Sequence, residues 1–186
     1  MPKQQLTPTK VVTGKVRFSY LNAFEPKSIN GSDPKYSVSL IIPKSDKATL
    51  AKVNKAIEAA KEDGMTRLWG GKLPANLKTP LRDGDTERPD DEAYKNAYFV
   101  NANSKQQPGI VDADRYPLMD KTELYSGCYG RASINLFPFN TNGNRGVGVG
   151  LNNLQLLVQA DPLGGRSRAE DDFEDDFQDD EEDFLG

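Results

Sequence analysis

Two acidic residues set two apart, in Leu81-Arg82-Asp83-Gly84-Asp85, are the chain's nearest approach to a catalytic constellation. Carboxylates at that spacing can share a hard cation such as Mg²⁺, which activates water for hydrolysis in nucleases. Such a site needs further acids at a matching strand position, and none is evident. The same residues read more readily as an Asp-Gly turn that displays Arg82. Other catalytic chemistries lose their central residue, because the chain has no histidine and a single cysteine, Cys128. That excludes disulfides, zinc sites of the usual Cys/His kind and imidazole acid–base catalysis. The expectation is a protein that is not an enzyme and needs no cofactor or metal.

A second pattern suits binding. From residue 128 onward, Cys128, Gly130, Ala132, Ile134 and Leu136 share one parity, small or apolar and fit for a core. The other parity presents Tyr129, Arg131, Ser133, Asn135, Phe137 and, past Pro138, Phe139. Rings beside a guanidinium and short polar groups offer flat surfaces for unstacked bases and cations for phosphates, which is what a single nucleic-acid strand requires. The competing reading packs Phe137 and Phe139 under a loop.

Other residues extend the candidate surface. Lys15 and Arg17 lie on the polar parity of the first strand, and Arg145 precedes Gly146, Gly148 and Gly150. Those alternate glycines either bare one strand face to a base or let the strand coil sharply, and coiling is the favoured account. Phe99, Asn101, Asn103 and Lys105 share a parity, which leaves open whether Tyr98 or Phe99 faces inward. Trp69, within Arg67-Leu68-Trp69-Gly70-Gly71-Lys72, is either a stacking residue flanked by cations or a loop anchor. The candidate binding set is Lys15, Arg17, Trp69, Arg82, Phe99, Asn101, Lys105, Tyr129, Arg131, Phe137 and Arg145.

The charge distribution agrees. Of 28 acids, eleven fall in residues 169–186, where there is no base, while all 24 Lys and Arg lie before them. The net charge of −4 therefore conceals a basic body joined to an acidic tail, and the body calls for a polyanionic ligand. Phe173, Phe177 and Phe184 punctuate the tail, although a merely solubilising run has no use for spaced rings. Phe177, Asp183, Phe184 and Leu185 are thus candidates for docking a partner through an apolar pocket with a basic rim. A polar start and the lack of any apolar run of about 18 residues predict a cytoplasmic protein with no membrane contact.

The elements that must position these residues are mostly strands. Alternation at Val12, Gly14, Val16, Phe18 and Tyr20 predicts one strand, and Tyr36, Val38, Leu40 and Ile42 predict a second, joined by a loop over 22–34. Ser45 as N-cap, then Leu50, Val53, Ile57 and Ala60, with Gly64 as terminator, predict an amphipathic helix. Residues 65–96 read as an irregular excursion with one short strand near 77–82. Strands return at 97–104, 128–137 and 147–158, the last two joined by a tight turn in Asn140-Thr141-Asn142-Gly143-Asn144. Five or more strands with one helix fit a small barrel spanning residues 1–162, followed by a linker and an acidic tail, 163–186, too polar to fold.

This sequence resembles the single-stranded DNA-binding proteins of tailed bacteriophages. The resemblance rests on Val16-Arg17-Phe18-Ser19-Tyr20, Ile42-Pro43-Lys44-Ser45-Asp46, Pro80-Leu81-Arg82-Asp83-Gly84-Asp85, Tyr98-Phe99-Val100-Asn101-Ala102-Asn103-Ser104-Lys105 and the acidic end with Phe184. It implies an OB-fold, a sequence-tolerant grip on single-stranded DNA during phage replication and recombination in the host cytoplasm, and recruitment of replication proteins, such as a DNA polymerase or helicase, through the tail. A homodimer is left open. The helix departs from the simplest OB order, in which it follows the third strand. Two rival classes are an RNA-binding or chaperone module, which would share the basic aromatic face, and the metal-dependent nuclease built on Asp83 and Asp85.

Overall fold

The computed structural model describes residues 8–28 and 31–163. Its eight strands are β1 (Lys10–Val12), β2 (Val16–Lys27), β3 (Lys35–Pro43), β4 (Arg82–Asp83), β5 (Ala97–Ser104), β6 (Gly109–Val111), β7 (Tyr129–Thr141) and β8 (Asn144–Val158), with helices α1 (Lys47–Arg67) and α2 (Gly84–Glu87). Five strands close into a ring in the order β2-β3-β5-β8-β7 and back to β2, every pair antiparallel except β5 with β8. This is a mainly β, OB-fold-like barrel. β1 extends it beside β7, β6 beside β8, and β4 beside β5.

Alternation built the ring where it was clearest. Val16 and Phe18 on β2, Val38, Leu40 and Ile42 on β3, Val100 and Ala102 on β5, and Ala132, Ile134 and Leu136 on β7 all point into one core. The β7–β8 hairpin turns at Asn142 and Gly143, with φ of 51° and 82°. Positive φ at both central residues is the geometry that matches the twist of the flanking strands, and Asn-Gly is the pair that tolerates it best.

Other expectations need correction. The strand expected over residues 12–20 is two strands. Val11 and Thr13 are buried where Val12 was expected, and β2 runs on through Pro26. The helix is capped not by Ser45 but by Asp46, whose carboxylate accepts from the Thr49 N–H at 3.1 Å. Nor does it stop at Gly64. It continues to Arg67, and the Leu68 and Trp69 N–H groups then both return to the Gly64 carbonyl at 2.8 Å. α1 lies in chain order between the second and third ring strands, and its buried face, Leu50, Val53, Ala56, Ile57 and Ala60, joins the barrel core against β7.

The excursion after α1 folds back over the outside of the barrel. Tyr94, Ala97 and Phe99 pack with Ile41 in a separate apolar cluster on the outer face of β3 and β5. The Tyr94 and Phe99 rings meet edge to face at 5.0 Å, and Tyr94 Oη donates to Ser39 Oγ at 2.9 Å. Only part of that outer face is covered. Asn101 and Asn103 stay exposed.

Candidate nucleic-acid interface

Two open cavities lie along the uncovered part of the β3–β5 face and share Asn101 and Asn103. The larger, about 600 Å³, is walled by Lys78, Arg82, Glu87, Phe139 and Gly148. The smaller is walled by Tyr20, Asn22, Lys27, Ser37 and Arg88, and a third cavity continues from it past Tyr20, Asn22 and Lys27 to Ser126 and Leu163. Through these shared residues the three cavities neighbour one another, and together they are called the groove below. Its wall combines rings, amides and four cations, Lys27, Lys78, Arg82 and Arg88, against Glu87 and Asp91.

The binding residues expected from sequence divide into three sets. Arg82 and Asn101 are in the groove, and Phe137 and Arg145 are exposed on the adjoining hairpin. Arg82 is shared between Glu87, at 3.1 Å, and the face of Phe99. Phe137 lies directly across from Gly148, where an added Cβ would come within 2.7 Å of its ring, and the Phe139 ring lies beside Gly146. The glycine face is therefore covered by the protein's own rings.

The second set, Lys15, Arg17, Tyr129 and Arg131, sits on the outer face of β2 and β7. Lys15 and Arg17 approach the Tyr129 ring at 5.8 and 5.2 Å, and all three line a separate cavity with Lys95. Both arginines spend donors on the backbone: Arg17 Nε and Nη2 on the Gly127 and Asp161 carbonyls, each at 3.0 Å, and Arg131 Nε on the Thr13 carbonyl at 2.9 Å. Lys105 is exposed just past β5 and lines none of these cavities.

The third set must be corrected. Trp69 is 6 % exposed, its Nε1–H donates to the Phe139 carbonyl at 3.2 Å, and its ring fills the space left by Gly64. It anchors the loop after α1. Phe99 is 1 % exposed: its parity does point outward, but the excursion covers it. Neither offers a free ring. Phe177, Asp183, Phe184 and Leu185 lie outside the described residues.

Sequence reasoning missed Tyr20, Lys78 and Arg88. Tyr20 was read as inward, yet its ring is exposed because β2 bulges there. Lys78 and Arg88 lie in the aperiodic excursion, where only their charge was a signal.

The carboxylate pair is occupied. Lys44 Nζ lies 3.0 Å from Asp83 and 2.8 Å from Asp85. Asp83 also accepts from the Asp85 N–H, and Asp85 from the Asn96 N–H, both at 3.0 Å. Hydrogen bonds from Lys44 hold both carboxyls below the ordinary aspartate value, and the same bonds raise Lys44. This is a latch tying α2 to the end of β3. Among the described residues no three His, Cys, Asp or Glu side chains are grouped to hold a metal, and no helix is long and apolar enough to cross a membrane.

The profile of the family described as "Enterobacter phage Enc34, ssDNA-binding protein" matches residues 9–185. Protein p50 of Acyrthosiphon pisum secondary endosymbiont phage 1 is 27 % identical over 188 residues, covering 95 % of this chain and 98 % of its own. Among solved structures, the bacteriophage Enc34 single-stranded DNA-binding protein in complex with ssDNA superposes with a TM-score of 0.74 at 22 % identity, covering 84 % of this chain and 90 % of the other. The bacteriophage T7 single-stranded DNA-binding protein gp2.5 gives 0.62 at 16 % identity, covering 91 % and 97 %. At these identities the structural likeness is one of fold.

Proposed function

The chain belongs to the Enc34-type family of phage ssDNA-binding proteins, and we propose that it holds single-stranded DNA, with little sequence preference, along the groove on the outer face of β3 and β5. One observation supports this reading: two cavities on that face, and a third that shares Tyr20, Asn22 and Lys27 with one of them, are lined by the exposed Tyr20 ring, the half-buried Phe139, amides and cations. The corresponding face of OB-folds is where oligonucleotides bind, between the connections that here join β2 to β3 and β7 to β8. Rings accept unstacked bases of any identity, and the cations meet phosphates.

We further propose that the protein coats strands during phage DNA replication and recombination in the host cytoplasm, while the acidic tail recruits replication proteins such as a DNA polymerase or helicase. Leu163, the last described residue, packs against the Tyr94 cluster and lines one end of the groove, which supports a tail that competes for the groove's cations. The test is a titration of labelled single-stranded and duplex DNA at two salt concentrations, with RNA as competitor. Single strands should bind far more tightly than duplex, and added salt should weaken the complex by counterion release. Equal affinity for duplex, or preferential displacement by RNA, would overturn the reading.

A further inference from the structure

Tyr20 is the least expected residue of the groove wall. The pairing of β2 with β3 slips between Ser19 and Asn22, and Tyr20 sits in the slip at φ 47°, a left-handed conformation that a β-carbon opposes. The core gains nothing from this, since the ring is 57 % exposed. Dedicated side chains nevertheless hold the bulge. Asn22 Nδ2 donates to the Tyr20 carbonyl at 3.3 Å and to Ser37 Oγ at 3.2 Å, while the Leu21 N–H donates to Ser126 Oγ at 2.9 Å. A bulge re-aims a side chain out of its strand, and strain that neighbours over-determine points to a site.

Arg88 supplies the second observation. Its guanidinium carbon lies 5.2 Å from the Tyr20 ring centre, 5.1 Å from that of Tyr94 and 5.3 Å from that of Phe99. Its Nε–H is buried without an acceptor among the described residues. Rings, rather than a carboxylate, fix this cation. Two cavities of the groove meet at Tyr20, which therefore stands as a divider along the path.

We propose that Tyr20 is a base-stacking platform and that Arg88 is its positioning residue. A base stacks on the open face of the ring while the guanidinium backs the other face, so that base, ring and cation form three layers. A base held there is separated from its neighbour, which favours a single strand over duplex. The proposal rests on the reading of the groove as a single-strand site.

The experiment compares the full chain with Tyr20→Phe, Tyr20→Ala, Tyr20→Gly, Arg88→Lys and the double variant Tyr20→Ala/Arg88→Lys, on an oligothymidylate and on a matched strand of abasic sites. Tyr20→Phe should bind as wild type. Tyr20→Ala and Tyr20→Gly should lose on the order of 5- to 150-fold on the thymidylate, the worth of one stacked base. On the abasic strand they should match wild type. Tyr20→Gly should unfold at the same or a higher urea concentration than wild type, because glycine accepts the positive φ. Arg88→Lys keeps the charge but loses the flat layer, so affinity for thymidylate should fall with an unchanged salt dependence, and the double variant should lose no more than Tyr20→Ala.

Equal binding by wild type and Tyr20→Ala, or an equal loss on the abasic strand, overturns the platform. Unchanged thymidylate affinity in Arg88→Lys, or a double variant that loses clearly more than Tyr20→Ala, overturns its positioning role. If wild type itself fails to bind single strands, the groove reading falls.

Discussion

Trp69 is the chain's only tryptophan, and its replacement should separate anchoring from stacking. The indole is 6 % exposed, donates to the Phe139 carbonyl at 3.2 Å, and lies so close to Gly64 that a Cβ there would come within 2.6 Å of the ring. Deleting such a ring costs roughly 3–5 kcal/mol by lost burial and the cavity left behind. Trp69→Phe keeps much of the ring but loses the hydrogen bond to the Phe139 carbonyl, costing about 0.5–1.5 kcal/mol. Against a typical total of about 5–15 kcal/mol, both variants should still fold at 25 °C. Urea unfolding should place their midpoints below wild type in the order Phe, then Ala, while single-strand affinity measured well below those midpoints changes little. The wild-type indole gives an independent readout: its emission should be that of a buried ring, shift on unfolding, and respond weakly to saturating single-stranded DNA. A Trp69→Ala protein of wild-type stability that no longer binds, or strong quenching by DNA in the folded state, would refute the anchor assignment.

Deleting residues 169–186 removes eleven acids, so single-strand affinity should rise, most at low salt, where exposed charges are least screened. Phe184→Ala leaves the charge intact and should weaken capture of a phage replication partner in a pull-down; unchanged affinity after deletion, or unchanged capture, would count against this division of labour. For the Lys44 latch, the folded carboxyls of Asp83 and Asp85 lie below their ordinary 3.8, so their contribution is present above that value and is lost as pH falls through the depressed ones. Lys44→Met should therefore lower the urea midpoint at neutral pH, modestly because the groups are exposed, and the gap from wild type should close in acid; a gap independent of pH would refute the latch.

How much was legible depended on whether the deciding interaction was local. β7 was readable because its inner and outer residues differ in kind, and burial follows that division from Gly130 to Leu136. The β7–β8 turn was readable because Asn142-Gly143 carries its backbone geometry in its residue types. The helix end was not. Gly64 looks like a terminator by propensity, but its missing side chain serves the Trp69 ring, a contact made only once the chain has turned back. Tyr20 escaped for a related reason: alternation assumes an unbroken strand, whereas the slip beside it depends on Asn22, Ser37 and Ser126 from three separate segments.

Phe99 shows why the site itself was harder to find than the fold. The pattern grouped it with Asn101 and Asn103 but left open whether it or Tyr98 faces inward; the structure turns it outward, and parity says nothing of what covers that side. The cover comes from residues 84–97, the part of the chain with the least periodic pattern. It buries Phe99 and Ile41 beneath Tyr94 and stops short of Asn101. The boundary of that cover is the edge of the groove. Substitutions that loosen it, such as Tyr94→Leu, which removes the bond to Ser39 and one wall of the Arg88 cage, act on the groove's shape without touching the bases. The least patterned segment therefore sets the edge of the proposed groove, and the regular strands beneath it supply its floor.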